Sequence, residues 1–243
     1  MSVKNPTLLV LRLEGPLQSW GLRARWDYRD TSTEPSKSGV IGLIGCALGY
    51  KRGDLRLETE LNDSLRIAIR EEMEGIEMVD FQTVTGDHLK ADGGLQTKTI
   101  VSPRSYLHDA SFLVFIHGPE EILEKCANAL HNPHWPIYLG RRSCPPTRPV
   151  METLTTDYPS LEDAIKNYPW DTHLHLIEEK RRWSNIRREK PKKLRYIIED
   201  PQGKAVRRDA LKINPARMYG YRKIREDWVM HPNLQDDLKG GIN

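Results

Sequence analysis

Residues 36–49 read SKSGVIGLIGCALG, with Gly39, Gly42 and Gly45 recurring every three residues. The apolar residues between them suit a helix that Ser36 or Ser38 caps and Gly49 ends. One face of that helix is nearly bare of side chains. Each glycine costs a helix about 1 kcal/mol against alanine. The pattern therefore predicts close packing on the bare face, by a strand or another stretch of backbone. The spacing is neither GxGxxG nor closed by GK[ST], which excludes a dinucleotide fingerprint and a phosphate-binding P-loop. The helix start remains an anion site in principle, because its first amides lack intrahelical partners. Lys37 and Ser38 stand there, and phosphate binding is the expectation; ordinary capping is the alternative.

The flanking segments set the topology. Thr7 to Glu14 is a short apolar run ended by Gly15-Pro16 and predicts a buried strand. Leu65 to Arg70 alternates as a half-buried strand, and Ile76 to Val84 is its candidate antiparallel neighbour. Thr85 to Tyr106 is polar and glycine-bearing, which suits a long hairpin or loop. Ala110 to His117 predicts a strand, Pro119 to His131 an amphipathic helix with acidic first turn, and Pro149 to Thr155 a further strand. Strand, helix, strand, strand, helix, strand is the split βαβ order of an α+β, ferredoxin-like domain. We place that domain at residues 1–155. Residues 156–243 hold a short helix candidate, Ser160 to Asn167, and strand-like pieces such as LRYIIE, and predict a small basic C-terminal domain with β content.

Charge is unevenly spread. The chain carries 37 Lys+Arg and 34 Asp+Glu, a net +3. Lys180 to Arg225 alone holds 17 basic and 4 acidic residues, a local excess of +13. Such a stretch suits a polyanion or an acidic protein neighbour, or else a solvated basic face. No apolar run of membrane-spanning length occurs, and the N-terminal apolar run is too short and interrupted for a secretion signal. Cys46, Cys126 and Cys144 form no CxxC pair and no disulfide framework. These features predict a cytoplasmic protein. His173 with His175, and His131 with His134, lack further ligands, so no metal or other cofactor is expected. HExxH and GxSxG are absent, and Cys144 has no activating partner in sequence.

The segment YLGRRSCPPTR, residues 138–148, is the more informative one. Gly140 permits close backbone approach, Arg141 and Arg142 offer guanidinium forks, and two prolines stiffen the exit. Such a loop suits a phosphodiester backbone, with a rigid surface loop as the alternative. Only 3 Phe occur in the chain, and the aromatic signature of an RNA-stacking sheet is missing.

Four ordered blocks, LRLEGPLQSWG, PSKSGVIGLIGCALG, RSYLHDASFLV and YLGRRSCPPTRP, resemble the CasD family. This family supplies the small backbone subunit of Cascade, the type I-E CRISPR surveillance complex. The resemblance covers about the first 155 residues well and the remainder loosely. It implies a ferredoxin-like, RRM-related domain with a protruding β-hairpin thumb near Gln82 to Tyr106, plus a small C-terminal domain. It implies a non-catalytic subunit that grips the 5′ handle of the CRISPR RNA. Its neighbours would be the CasC backbone subunit and the CasA large subunit, and it would meet target DNA through the complex. By block, the RNA contacts would be Lys37, Ser38 and Gly39, then Arg104 at the thumb base, then Gly140, Arg141, Arg142 and Ser143. Type I-C relatives instead cut the RNA precursor without metal, using tyrosine, lysine and histidine. Tyr50 and Lys98 fall near the first two positions, but Thr99 follows Lys98, and His88 and His108 lie apart from it. A third class is a DNA-binding or purely structural module.

Overall fold

The computed structural model describes residues 5–22, 28–90, 92–171, 193–213 and 218–231. Among these residues, ten strands and three α-helices follow in the order β1 (Leu8–Gln18), α1 (Lys37–Ala47), β2 (Arg66–Met73), β3 (Ile76–Val84), β4 (His88–Leu89), β5 (Leu95–Gln96), β6 (Ile100–His117), α2 (Glu120–His131), β7 (Met151–Thr155), α3 (Leu161–Asn167), β8 (Lys193–Glu199), β9 (Ala205–Lys212) and β10 (Met218–Met230). A short π-helical segment, Leu57–Asn62, lies between α1 and β2.

One sheet of 8 strands runs β7-β1-β6-β2-β8-β10-β9, and β3 joins it by pairing with β6. Its strand pairs are antiparallel. The molecule is thus a mixed α and β structure built on a mainly antiparallel sheet. Leu8–Leu11 of β1 and Phe112–Ile116 of β6 are apolar without a break because both of their faces are covered. Leu9, Leu11 and Leu13 pack with Phe112, Val114 and Ile116 on the face that holds α1 and α2. Leu8 and Val10 pack with Leu113 and Phe115 on the face that holds α3. Burying a side chain such as Phe112 stabilises the fold by about 1.5–3 kcal/mol.

Two arginines are buried on the α3 face. Arg70 is fully buried and donates to the carbonyls of Ile165 at 2.7 Å and Tyr168 at 2.9 Å, at the C-terminal end of α3. That end carries the negative pole of the helix dipole, which favours a cation. Arg12 pairs with Glu152.

The sheet is continuous across the 155/156 division. β8 bonds to β2 through Ala68↔Ile198, Ile69↔Ile197 and Arg70↔Tyr196. The core on the α3 face mixes residues from both sides of that division, Val10 and Phe115 with Ile165, Leu194 and Val229. The ribbon of β3 and β6 begins at Ile76↔His108, earlier than the expected residue 82, and pairs through to Val84↔Ile100. Beyond it lies the two-residue pairing of β4 with β5.

Candidate nucleic-acid interface

α1 is capped as its sequence requires: the Ser36 Oγ accepts the Gly39 amide at 3.1 Å. Its three glycines meet different surroundings. A Cβ on Gly39 would press on the Trp20 ring at 3.0 Å, and one on Gly45 would collide with the Leu57 side chain. The close partners are therefore side chains from a loop and from the π-helical segment, where a strand or backbone was expected. Gly42 is exposed, and a Cβ there meets nothing within 4 Å.

Gly42 opens onto a groove of about 950 Å³. The segment 134–136 runs beside α1, fixed by the His134 amide on the Ala47 carbonyl at 2.9 Å and by the Cys46 thiol near the Trp135 and Pro136 carbonyls. The loop after it turns at Gly140, whose φ is +88°. A side chain there would also strike the Ser19 carbonyl, so only glycine fits this turn. Ser38, Gly39, Gly140 and Arg142 all line the groove. Four of the eight expected contact residues thus meet on one surface, from positions about a hundred residues apart. Among the described residues, Arg52 and Arg142 are the only charged ones that line it. Both are exposed, and neither has an ion-pair partner among the described residues.

The other four expected residues sit elsewhere. Lys37 is 3% exposed, and its ammonium contacts Glu199 at 2.9 Å. Burial holds the Lys37 pKa below its usual value, although Glu199 opposes this. Its backbone amide is also taken, by Asp209 Oδ2 at 2.8 Å. The start of α1 therefore already holds a carboxylate, which corrects the expectation of amides open to solvent. Arg141 donates to the carbonyls of Ser105, Arg29 and Asp30 at 3.0–3.2 Å and lies over the Tyr106 ring. It ties residues 29–30 to β6. Arg104 stands on β6 opposite Asp80 and beside Arg29; its buried Nε has no hydrogen-bond partner among the described residues. Ser143 is exposed beyond the groove lining.

Tyr50 is 6% exposed and lines the groove. Its hydroxyl donates to Glu60 at 2.7 Å and accepts from Lys125 at 2.7 Å. Burial pushes the Tyr50 pKa up, and Glu60 adds to the rise. Lys98 is exposed near the start of β6 and is not among these contacts. Sequence reasoning missed Arg52 and Trp135 as groove residues and gave Tyr138 no role beyond opening the 138–148 loop. The run HWPIY, aromatics set between prolines, was the available signal.

The basic C-terminal stretch is partly committed inside the fold. Arg195 contacts Glu34 at 2.8 Å and Glu226 at 2.6 Å, and Arg207 also meets Glu34. Arg222 binds Asp209 through both oxygens, and Lys212 reaches Glu58 at 3.0 Å. Arg187 and Arg188, like His173 and His175, lie outside the described residues. Among the described residues no three His, Cys, Asp or Glu side chains gather as a metal site would need, and no helix is long and apolar enough to cross a membrane.

Comparison with known proteins supplies the relatives. The CasD subunit of the Cascade CRISPR system of Escherichia coli (strain K12) is 34% identical over 173 residues, 66% of this chain and 76% of that protein. A solved chain of a CRISPR RNA-guided surveillance complex matches with a TM-score of 0.72 at 30% identity, over 93% of this chain and 92% of that one. A Cas protein crystal structure matches with a TM-score of 0.62 at 30% identity, over 93% of this chain and 99% of that one. The model of the CRISPR-associated protein (Cas_Cas5) family matches residues 8–225. The chain therefore belongs to the Cas5 family of CRISPR-associated proteins.

Proposed function

We propose that the chain is a non-catalytic, cytoplasmic subunit of the type I-E CRISPR surveillance complex. It binds and caps the 5′ handle of the CRISPR RNA and helps assemble the complex for target DNA recognition. The groove carries this reading. It gathers the bare face of α1, the Gly140 turn and two arginines without an ion-pair partner among the described residues, and its described lining holds no carboxylate. A chain with 34 acidic residues whose described residues bring none of them to this groove offers that groove to an anion. The 34% identity to the CasD subunit of Cascade supports the same reading. Arg142 and the Ser38 and Gly39 positions would follow the RNA backbone, and Arg104 would sit at the base of a thumb formed by β3 and β6. Lys37, Gly140, Arg141 and Ser143 would act by shaping the surface around it.

The order β7-β1-β6-β2 around α1 and α2 supports a ferredoxin-like frame for residues 1–155. Residues 156–243 would brace that frame, through Glu199 and Asp209 on α1. CasC and CasA are the proposed neighbours. The exposed apolar residues Phe81 of the ribbon, at 65%, and Leu89 of the β4–β5 pairing beyond it, at 79%, suit a subunit contact.

Precursor cleavage is the competing function. A tyrosine that activates a 2′-hydroxyl needs a free, ionisable oxygen, whereas the Tyr50 hydroxyl is held by Glu60 and Lys125. The test is to purify the assembled complex, sequence its RNA and footprint the handle, then incubate the isolated chain with repeat RNA in EDTA. We expect handle protection and no cut. Specific cleavage abolished by Tyr50→Phe or Lys98→Ala would reverse the assignment.

A further inference from the structure

The segment 18–20 lies between the start of α1 and the Gly140 turn, and Gln18, Ser19 and Trp20 are all buried. Gln18 fastens the segment to the sheet. Its amide nitrogen donates to the carbonyls of Leu13 at 3.1 Å and Ala110 at 2.7 Å, and its amide oxygen accepts the Trp20 indole N–H at 3.0 Å. The indole is thereby fixed in orientation, and its ring lies directly against Gly39 in the first turn of α1. Ser19 reaches the other side. Its amide donates to the Leu139 carbonyl at 3.1 Å, and its own carbonyl lies against Gly140. Its hydroxyl donates to the Ser105 carbonyl at 3.2 Å, which also accepts from Arg141. The Trp20 backbone closes the arrangement: its amide donates to the Thr31 hydroxyl and its carbonyl accepts the Ser32 amide, both at 2.9 Å.

A side chain that meets another side chain can yield by changing rotamer. Gly39 and Gly140 have no side chain, so two stretches of backbone rest directly on residues 19 and 20. A displacement of either residue passes undamped to both. Core packing alone does not call for this, because helix propensity favours a side chain at position 39. We propose that Ser19 and Trp20 are positioning residues of the RNA interface: they set the offset between the first turn of α1 and the Gly140 turn, so that both meet phosphates of one strand. This role rests on the handle-binding function given above. The covalent chain fixes the spacing of those phosphates, and groups that recognise them have to be held to within about 0.5 Å. Ser19 and Trp20 act through Gly39 and Gly140, without touching the RNA themselves.

The experiment follows protection of the handle in the assembled complex over a series of salt concentrations, at a temperature where thermal unfolding shows each variant folded. Trp20→Phe alters no charge, but its smaller ring frees the start of α1. Handle retention falls by about tenfold, and the salt slope falls by about 0.7, the share of one phosphate contact on a single strand. Gly39→Ala alone presses on the wild-type ring and also weakens retention. Combined with Trp20→Phe, its methyl enters the space that the indole filled, and retention and slope return towards wild type. Ile165→Ala, at a buried position on the α3 face, lowers the unfolding temperature but changes neither retention nor slope. Thr31→Val removes the hydroxyl that accepts the Trp20 amide and gives the same lower slope with a smaller loss, which keeps the test open if Trp20→Phe does not fold. A folded Trp20→Phe or Thr31→Val complex with wild-type retention and slope overturns the positioning role while handle binding stands. Retention that falls with an unchanged slope, or that falls equally in Ile165→Ala, assigns Ser19 and Trp20 to stability alone and overturns it as well. A wild-type complex in which this chain leaves the handle unprotected overturns both.

Discussion

The Asp209 carboxylate accepts the backbone amide of Lys37 at 2.8 Å while Arg222 grips both of its oxygens at 2.6 and 2.9 Å. One side chain of β9 thus closes the start of α1 and anchors an arginine of β10. Burial alone would raise the Asp209 pKa, but Arg222 outweighs it and the carboxyl ends below its usual range. Asp209→Ala leaves Arg222 buried without its main partner and an amide uncapped. We expect a loss of about 3–5 kcal/mol, read as a lower urea midpoint. Asp209→Asn keeps the hydrogen bond but not the charge and should lose less.

Arg141 and Arg142 are neighbours with separate work. Arg141→Ala strips three carbonyls of a charged donor and should destabilise the fold by about 2–3 kcal/mol, visible in thermal unfolding. Arg142→Ala should change stability by no more than about 0.5 kcal/mol. It should lower the salt slope of handle binding by about 1. Equal effects of the two substitutions on stability would remove the distinction.

Glu71 gives the fold a pH dependence of unusual sign. Arg195 stands 3.5 Å from it but also serves Glu34 and Glu226. Burial pushes the Glu71 pKa from 4.5 up to about 7; Arg195 opposes the shift, and Glu74 and Glu34 add to it. The folded chain therefore keeps a proton that the unfolded chain releases. The contribution of Glu71 is full below about pH 4.5 and is lost as pH rises through about 7. We expect urea midpoints to fall between pH 5 and pH 8, by a free energy on the order of 2 kcal/mol. Glu71→Gln should remove that fall. A variant that keeps the full pH dependence would assign it to other groups.

Gly140→Ala should be among the most damaging small substitutions. It meets both a left-handed backbone and the Ser19 carbonyl. A loss above about 2 kcal/mol is expected, with the Leu139 carbonyl to Ser19 amide bond opening first in hydrogen exchange.

Those parts of the fold that depend on local pattern were legible in the sequence. β1, α2 and the capped α1 each follow from apolar period, cap or turn residues; Ile76 to Val84 was legible as a strand, but it pairs with β6 rather than with β2 as expected. The extent of β6 was not, because its first half, Ile100 to Asp109, lies in a polar, glycine-flanked region that reads as loop and is fixed only by pairing with β3. The joining of β8 to β2 was hidden for a similar reason: three residue pairs carry it, between segments far apart in sequence. In the candidate site, glycines and arginines pointed to the loops that the groove brings together, whereas the burial of Lys37 was not legible. Its two carboxylate partners, Glu199 and Asp209, lie 162 and 172 residues away, and nothing local announces them. Arg52 joins the groove through the way the chain leaves α1, which composition does not encode.

The link between β2 and β8 also bears on how the protein is made. β2 gains β6 within about forty residues of synthesis, but its other edge waits until Tyr196, Ile197 and Ile198 emerge. At roughly 5–20 residues per second, that edge stays open on the ribosome for roughly 6–25 s. An unpaired strand edge over that time is a template for the wrong partner. Translation pauses or truncations before residue 196 should therefore yield aggregating chains rather than a smaller folded protein.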